Sequence, residues 1–322
     1  MTSTRKFPTP GRLWYLFRQN CHEGWSTPYW RRFVRTKILD SAPIETAVTA
    51  DTIEVFTLTG KKDWLNLIWS LKSFYRFAAR SYPLTILDDG TLTNNEDEML
   101  LLHFPQARLI RAVASDAIMM QELSDYPRCQ CYRRLHPLAR KCFDVGCFIR
   151  APRVLLLDSD VLFFREPTEL LFRIDKPTIM NYFNADVAPA LNIGAVEASR
   201  KFNIELNERI NSGLCLLSSA VFNLDWMEEF LCCDSIWANK IWRIEQTLLA
   251  LAASRVGVEL LPEREYRVSL QAGTDGCAAK HYVGAVRHLM YREGLAKLVR
   301  NGFLDPAHQD QYVSNDTSER TS

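Results

Sequence analysis

The sequence predicts an α/β protein built on a mixed, mainly parallel sheet flanked by helices. Three observations carry that expectation. From Ile53 onward, short β-forming runs alternate with segments of helical periodicity. One run, Val154-Leu155-Leu156-Leu157, is wholly apolar, as suits a strand covered on both faces. Turn formers such as Gly60 and Asp88-Asp89-Gly90 close the runs.

The elements follow in order. Ile53 to Leu58 is rich in β-formers and stops before Gly60. Trp64, Leu67, Ile68, Leu71, Phe74 and Tyr75 recur at helical spacing. Pro83 precedes a second strand, Leu84 to Leu87. A helix is expected over Glu96 to His103, a third strand over Arg108 to Ile110, and a helix over Leu138 to Phe148. The apolar strand at Val154 follows, then Asp158-Ser159-Asp160 and the apolar Val161 to Phe164. Residues 181–186 are expected in a long irregular segment. Trp226, Met227, Phe230 and Leu231 read as the buried face of a helix.

Three regions are expected: an arm over residues 1–45, a single domain over 46–305, and a disordered tail over 306–322, which is polar and aperiodic. The arm interleaves basic residues such as Arg12, Arg31, Arg32 and Arg35 with Trp14, Trp25, Tyr29 and Phe33. It reads either as an amphipathic element lying on a membrane surface or as a peripheral helix or loop packing its aromatics on the domain. The second is preferred, because no stretch separates charged and apolar faces cleanly.

Composition narrows the function. The 322 residues are 47% hydrophobic and 24% charged, with 39 basic and 38 acidic side chains and a net charge of +1. A nucleic-acid binder usually carries a basic excess, so that class is disfavoured. No apolar run reaches the roughly 18–20 residues that span a bilayer, and Arg12 and Arg18 interrupt the only signal-like stretch. The nine cysteines are odd in number and mostly in apolar surroundings, as small buried hydrophobes are. With no secretion signal, a cytoplasmic location is expected, with peripheral membrane contact left open. Cys129-Gln130-Cys131 and Cys232-Cys233 are spaced too closely for ordinary zinc pairs.

The strongest chemical signal is Asp158-Ser159-Asp160. Two carboxylates at the C-terminal end of a central strand lie where α/β sheets bind ligands. One residue apart in a turn, they face one point, and their repulsion calls for a cation. Oxygen donors suit Mg²⁺ or Mn²⁺. The plainer alternative is a solvated turn.

Val154 to Val161 resembles the DxD element of nucleotide-sugar-dependent glycosyltransferases of the GT-A fold. Three further elements resemble the glycogenin-like, retaining family 8 branch and occur in that branch's order. Asn211-Ser212-Gly213-Leu214 is similar to its N-x-G strand. Glu245-Gln246-Thr247-Leu248-Leu249 is similar to its D-Q-x-x-L helix start, with Glu for Asp. His281-Tyr282-Val283-Gly284 is similar to its late H-x-x-G, but Arg287-His288 stands where the branch has Lys-Pro-Trp.

The resemblance implies a metal-dependent transferase of hexosyl type, using Mn²⁺ or Mg²⁺ and a nucleoside-diphosphate sugar, with UDP-sugar favoured. The acceptor would be a glycan, lipid or protein. Asp158, Asp160 and His281 would hold the metal. Thr59, Asp88, Asp89, Lys141, Ser159, Gly284 and Arg287 would line the donor, with Asp144 orienting Lys141 from three residues on. His281 is expected in a loop over the site. Glu245, Gln246 and Asn211 are the catalytic candidates, Glu245 as a base if the reaction inverts. The segment 181–186 would shape the acceptor side. Two other functions stay open: a sugar-phosphate nucleotidyltransferase, disfavoured by the single glycine in Leu58-Thr59-Gly60-Lys61-Lys62-Asp63, and a catalytically silent binding protein on the same scaffold.

Overall fold

The strands of the computed structural model are β1 (Ile53–Thr59), β2 (Leu84–Asp88), β3 (Arg108–Ile110), β4 (Arg153–Leu157), β5 (Val161–Phe163), β6 (Asn181–Ala185), β7 (Ile210–Ser218), β8 (Val258–Leu260), β9 (Tyr266–Val268) and β10 (Ala279–His281). The structure describes residues 17, 18 and 21–305, so the expected tail and the start of the arm lie outside the described residues. Seven strands form one sheet in the order β3-β2-β1-β4-β7-β6-β8, and three form a second, β5-β10-β9. Strands β1 to β4 are parallel, so their C-terminal ends meet at one edge. β7 runs antiparallel to both β4 and β6.

Side-chain alternation along β4 explains its apolar run. Leu155 and Leu157 join the core formed with the helix Trp64–Ala78 and the small sheet. Val154 and Leu156 join the opposite core, under the helices Arg140–Phe148 and Ile244–Val256. Both faces of the strand are therefore covered, and polar residues appear only where it ends. The helix Trp64–Ala78 makes the crossover that parallel β1 and β2 require. It buries Leu67, Ile68, Leu71, Phe74 and Tyr75, the periodic residues.

Two expectations of shape need correction. Residues 181–186 are not irregular: Asn181–Ala185 is strand β6, fully buried between β7 and β8. Its asparagines hid it, yet the Asn181 side chain accepts a bond from Ser218 N at 2.8 Å and donates to the Gly257 carbonyl at 2.9 Å. His281 likewise ends strand β10 rather than lying in a loop. The β10 register is pinned by Lys280, fully buried, whose ammonium reaches Glu293 Oε1 and the Gln271 carbonyl at 2.8 Å each.

The arm packs on the domain through Val34 and Ile38, with Trp30 against the same core, whereas Trp25, Tyr29 and Phe33 stay exposed. The expected packing of its aromatics therefore holds for Trp30 alone among these four rings. Lys72 secures its end, donating to Ser41 Oγ at 2.7 Å. Nearby, His103 is buried with neither ring nitrogen hydrogen-bonded. Burial, and then the Lys72 charge, push its pKa down from 6.5 to about 4. The fold thus holds this ring neutral, whereas the unfolded chain takes up its proton near 6.5. The stability it contributes is complete above pH 6.5 and is lost as pH falls towards 4. Urea unfolding should show a loss of up to about 3 kcal/mol over that window from this group, and His103→Leu should flatten the slope.

Candidate functional site

The site forms where the main sheet hands over to the small one. Asp158-Ser159-Asp160 links β4 to β5, and main-chain bonds hold it on both sides: Asp158 N donates to Gly213 O at 2.8 Å, and Tyr282 N donates to Asp160 O at 2.9 Å. Register then brings the other groups in. β7 pairs with β4 so that Leu214 faces Leu157, placing Gly213 beside Asp158. β10 pairs with β5 so that His281 faces Val161, next to Asp160. One ligand atom from each of Asp158, Asp160 and His281 lies within 4.8 Å of the others.

The imidazole has a defined orientation. Asn211 Oδ1 accepts from Gly213 N at 3.1 Å, which identifies that atom as the oxygen. His281 Nδ1 lies 2.8 Å from the same oxygen and so carries a proton. Nε2 then faces the carboxylates, 3.0 Å from Asp160 Oδ1. Asp186 Oδ2 accepts from Asn211 Nδ2 at 2.9 Å and completes the chain. Gly213 leaves room for the ring, since a Cβ there would come within 2.1 Å of it.

Cations neutralise both carboxylates. Arg287 Nη2 and Nε contact Asp160 Oδ2 at 2.6 and 3.1 Å, and Nη1 reaches Asp63 at 3.2 Å. Lys141, 3% exposed, lies 3.0 Å from Asp158 Oδ1 and 3.0 Å from Glu245 Oε1. Burial opposes the charge on Asp160, but His281 and then Arg287 outweigh it and hold the carboxyl well below its ordinary range. Burial similarly opposes protonation of His281, and Asp160 more than reverses it. For Lys141, burial is overcome by Asp158 and Glu245, so it stays charged. Burial dominates at Glu245 and raises its pKa, with Lys141 opposing.

The structure gathers most of the expected residues. Ser159 is buried within the acidic turn. Asn211 and Gln246 form one wall: Gln246 Oε1 accepts from Ser212 N at 3.1 Å, and Nε2 donates to Ala190 O at 3.3 Å. Glu245 is 2% exposed and also accepts from Ser212 Oγ at 3.1 Å. It lies behind Lys141, a geometry that favours support of that lysine over the base role. Gly284 opens the turn before Arg287, with open space around it.

Thr59 and Asp88 are register partners at the same sheet edge. The Asp88 carboxylate accepts from the backbone of Gly90, Leu92 and Ala112 and is 3.3 Å from Arg111 Nε, so it braces the loop. Asp89, half-buried, lies against Gly60, where a Cβ would sit 2.1 Å from Oδ2.

One expectation is overturned: Asp144 does not orient Lys141. Its carboxylate is fully buried and bound to Arg133, Arg140 and Ser115. Asp63 went unrecognised as a site residue, and Asp186 was expected only within the acceptor-side segment 181–186, not as the partner of Asn211. Asp63 gives a sequence signal only as the residue preceding a helix. Asp186 sits at the end of a strand masked by asparagines.

No protein-family model matches the chain, and no curated protein matches it in sequence. Solved structures do resemble it. The bifunctional glycosyltransferase WbbM is 13% identical with a TM-score of 0.50, over 83% of this chain and 52% of WbbM, so the chain spans about half of that protein's length. Mouse xyloside xylosyltransferase 1 is 11% identical with a TM-score of 0.48, over 76% of this chain and 99% of its own. The galactosyltransferase LgtC is 14% identical with a TM-score of 0.44, over 72% and 87%. At 13% identity and a TM-score of 0.50, the likeness to WbbM bears on architecture alone. The chain is an α/β protein of the GT-A fold. Within that class it carries a candidate metal centre of two carboxylates and an imidazole.

Gly213→Ala should push the His281 ring aside and weaken Mn²⁺ binding at least about tenfold, the scale of disturbed ligand support. Calorimetric titration with Mn²⁺ checks this, and an unchanged far-ultraviolet spectrum shows that the fold survives.

Proposed function

We propose that this protein is a divalent-metal-dependent glycosyltransferase moving a sugar, of hexosyl type, from a nucleoside-diphosphate donor to an acceptor hydroxyl. One observation carries the reading. Asp158, Asp160 and His281 converge beside Lys141 and Arg287 at the C-terminal edge of the parallel strands, where such sheets bind nucleotides. The glycosyltransferases that share the fold support it. Two carboxylates and an imidazole fit Mn²⁺, and the carboxylates also suit Mg²⁺. A divalent ion there would offset the negative charge that gathers on the departing diphosphate.

The chain's own residues do the rest. Arg287 adds a fixed positive charge beside the diphosphate, and buried Lys141 keeps another in a site where water is scarce. Asn211 holds the His281 tautomer, and Glu245 and Ser212 brace the wall that carries Lys141 and Gln246. Thr59 and Asp89 border the nucleoside end, with a UDP-sugar favoured. The acceptor is a glycan, lipid or protein hydroxyl. We infer retention of configuration, because Glu245 is fastened to Lys141 and Ser212 rather than presented to an acceptor. The bond from the anomeric carbon to the diphosphate oxygen breaks. The acceptor oxygen bonds on the same face, and its proton passes to the departing diphosphate.

Arg287 occupies Asp160 Oδ2. A diphosphate offers that guanidinium a second anion and eases the carboxylate's transfer to a cation. A nucleoside diphosphate plus Mn²⁺ should therefore raise the melting temperature by more than the sum of their separate shifts. Additive shifts would count against the shared site. Asp160→Asn should lower transfer from a panel of nucleotide sugars by at least about 10²–10³-fold, with the melting temperature of the free protein largely kept. Undiminished transfer by this variant in the presence of a chelator would falsify the assignment.

A further inference from the structure

The end of the arm has an inner and an outer side. From Thr27 to Asp40 its backbone is continuously helical, passing through α, π and 3-10 turns. Val34 and Ile38, four residues apart, are 3% and 0% exposed against the domain. Tyr29 and Phe33, also four apart, point away at 54% and 61% exposure, with ring centroids 5.9 Å apart. Trp25, in the preceding turn, is 65% exposed. The inner side accounts for the packing, so the three outer rings are not needed to fold the segment.

Charge singles out the same region. Residues 1–40 hold eight basic side chains and two acidic ones, Glu23 and Asp40, whereas the rest of the chain holds 31 basic and 36 acidic. The overall balance thus conceals a strongly cationic start on an acidic body. Arg31 and Arg35 turn inward over the Tyr291 ring. Arg18, Arg32 and Lys37 are exposed. Aromatic rings with apolar bodies beside exposed cations match the boundary between lipid headgroups and acyl chains. A neutral protein groove would satisfy the rings and leave the charge asymmetry unused.

We propose that this face docks the protein on an anionic bilayer. Trp25, Tyr29 and Phe33 enter the interface, and Arg18, Arg32 and Lys37 meet lipid phosphates. The segment also touches the stretch that follows Arg287: the His22 and His288 rings lie 5.6 Å apart. Docking would therefore hold the candidate site near the membrane surface. The proposal does not depend on the reaction, since lipid binding is read without any donor.

The test is flotation of the full chain with vesicles of phosphatidylcholine alone or mixed with phosphatidylglycerol. Binding is expected only to the mixed vesicles and should fall with added salt. A Trp25→Ser, Tyr29→Ser, Phe33→Ser triple variant and an Arg32→Glu, Lys37→Glu double variant should each partition at least about tenfold more weakly. Their melting temperatures should be unchanged, because the altered side chains are exposed. Equal binding by the variants, or none by the parent chain, overturns the proposal. So does a concentration-dependent dimer that the triple variant converts to monomer without any vesicle binding, and so does capture of an oligonucleotide in place of vesicles.

Discussion

Two main-chain hydrogen bonds carry the architecture of the site. Asp158 N is bound to Gly213 O, and Tyr282 N to Asp160 O. They fasten a three-residue acidic turn at the point where the chain leaves the large sheet for the small one. The backbone of a short link must satisfy its polar groups in a buried setting, and here the two sheets supply the partners. The carboxylates inherit their positions from that constraint. Asn211, Gly213 and His281 arrive because their strands are the ones that bind the turn.

The electrostatics follow from burial. Asp160 and Glu245 are nearly inaccessible, and an isolated charge in such a place is costly. Each has a cation in contact: Arg287 on Asp160, Lys141 on Glu245. Removing the cation from such a pair typically costs about 3–5 kcal/mol, mostly because the carboxylate is left buried and alone; Arg287 is itself partly exposed and keeps Asp63. The same pairing keeps the site close to neutral. It is therefore set to receive a cation and a polyanion together rather than either separately.

Much of this was legible in the sequence. The apolar run at Val154 revealed a strand covered on two faces, and Arg108–Ile110 is a strand with the bounds expected. Asp158 and Asp160 were visible because polarity begins abruptly where that strand ends. β6 was hidden because both its asparagines are buried instead of facing water, Asn181 bonding internally. β8 and β9, three residues each, are too short to show a period. The contact of Lys141 with Glu245 joins residues far apart in the chain, and no local pattern announces it. Asp63 was missed for the same reason: its partner Arg287 comes from the other end of the fold.

Lys280 has a consequence for how this chain can change. β10 has only three residues, and neighbouring side chains leave a strand on opposite faces. Lys280 is locked to Glu293 and to the carbonyls of Gln271 and Gly273 on one side, while His281 serves the site on the other. A one-residue slip would exchange the two faces. The connection before β10 therefore tolerates exchange of its side chains far better than gain or loss of a residue, because length there sets which way the imidazole looks.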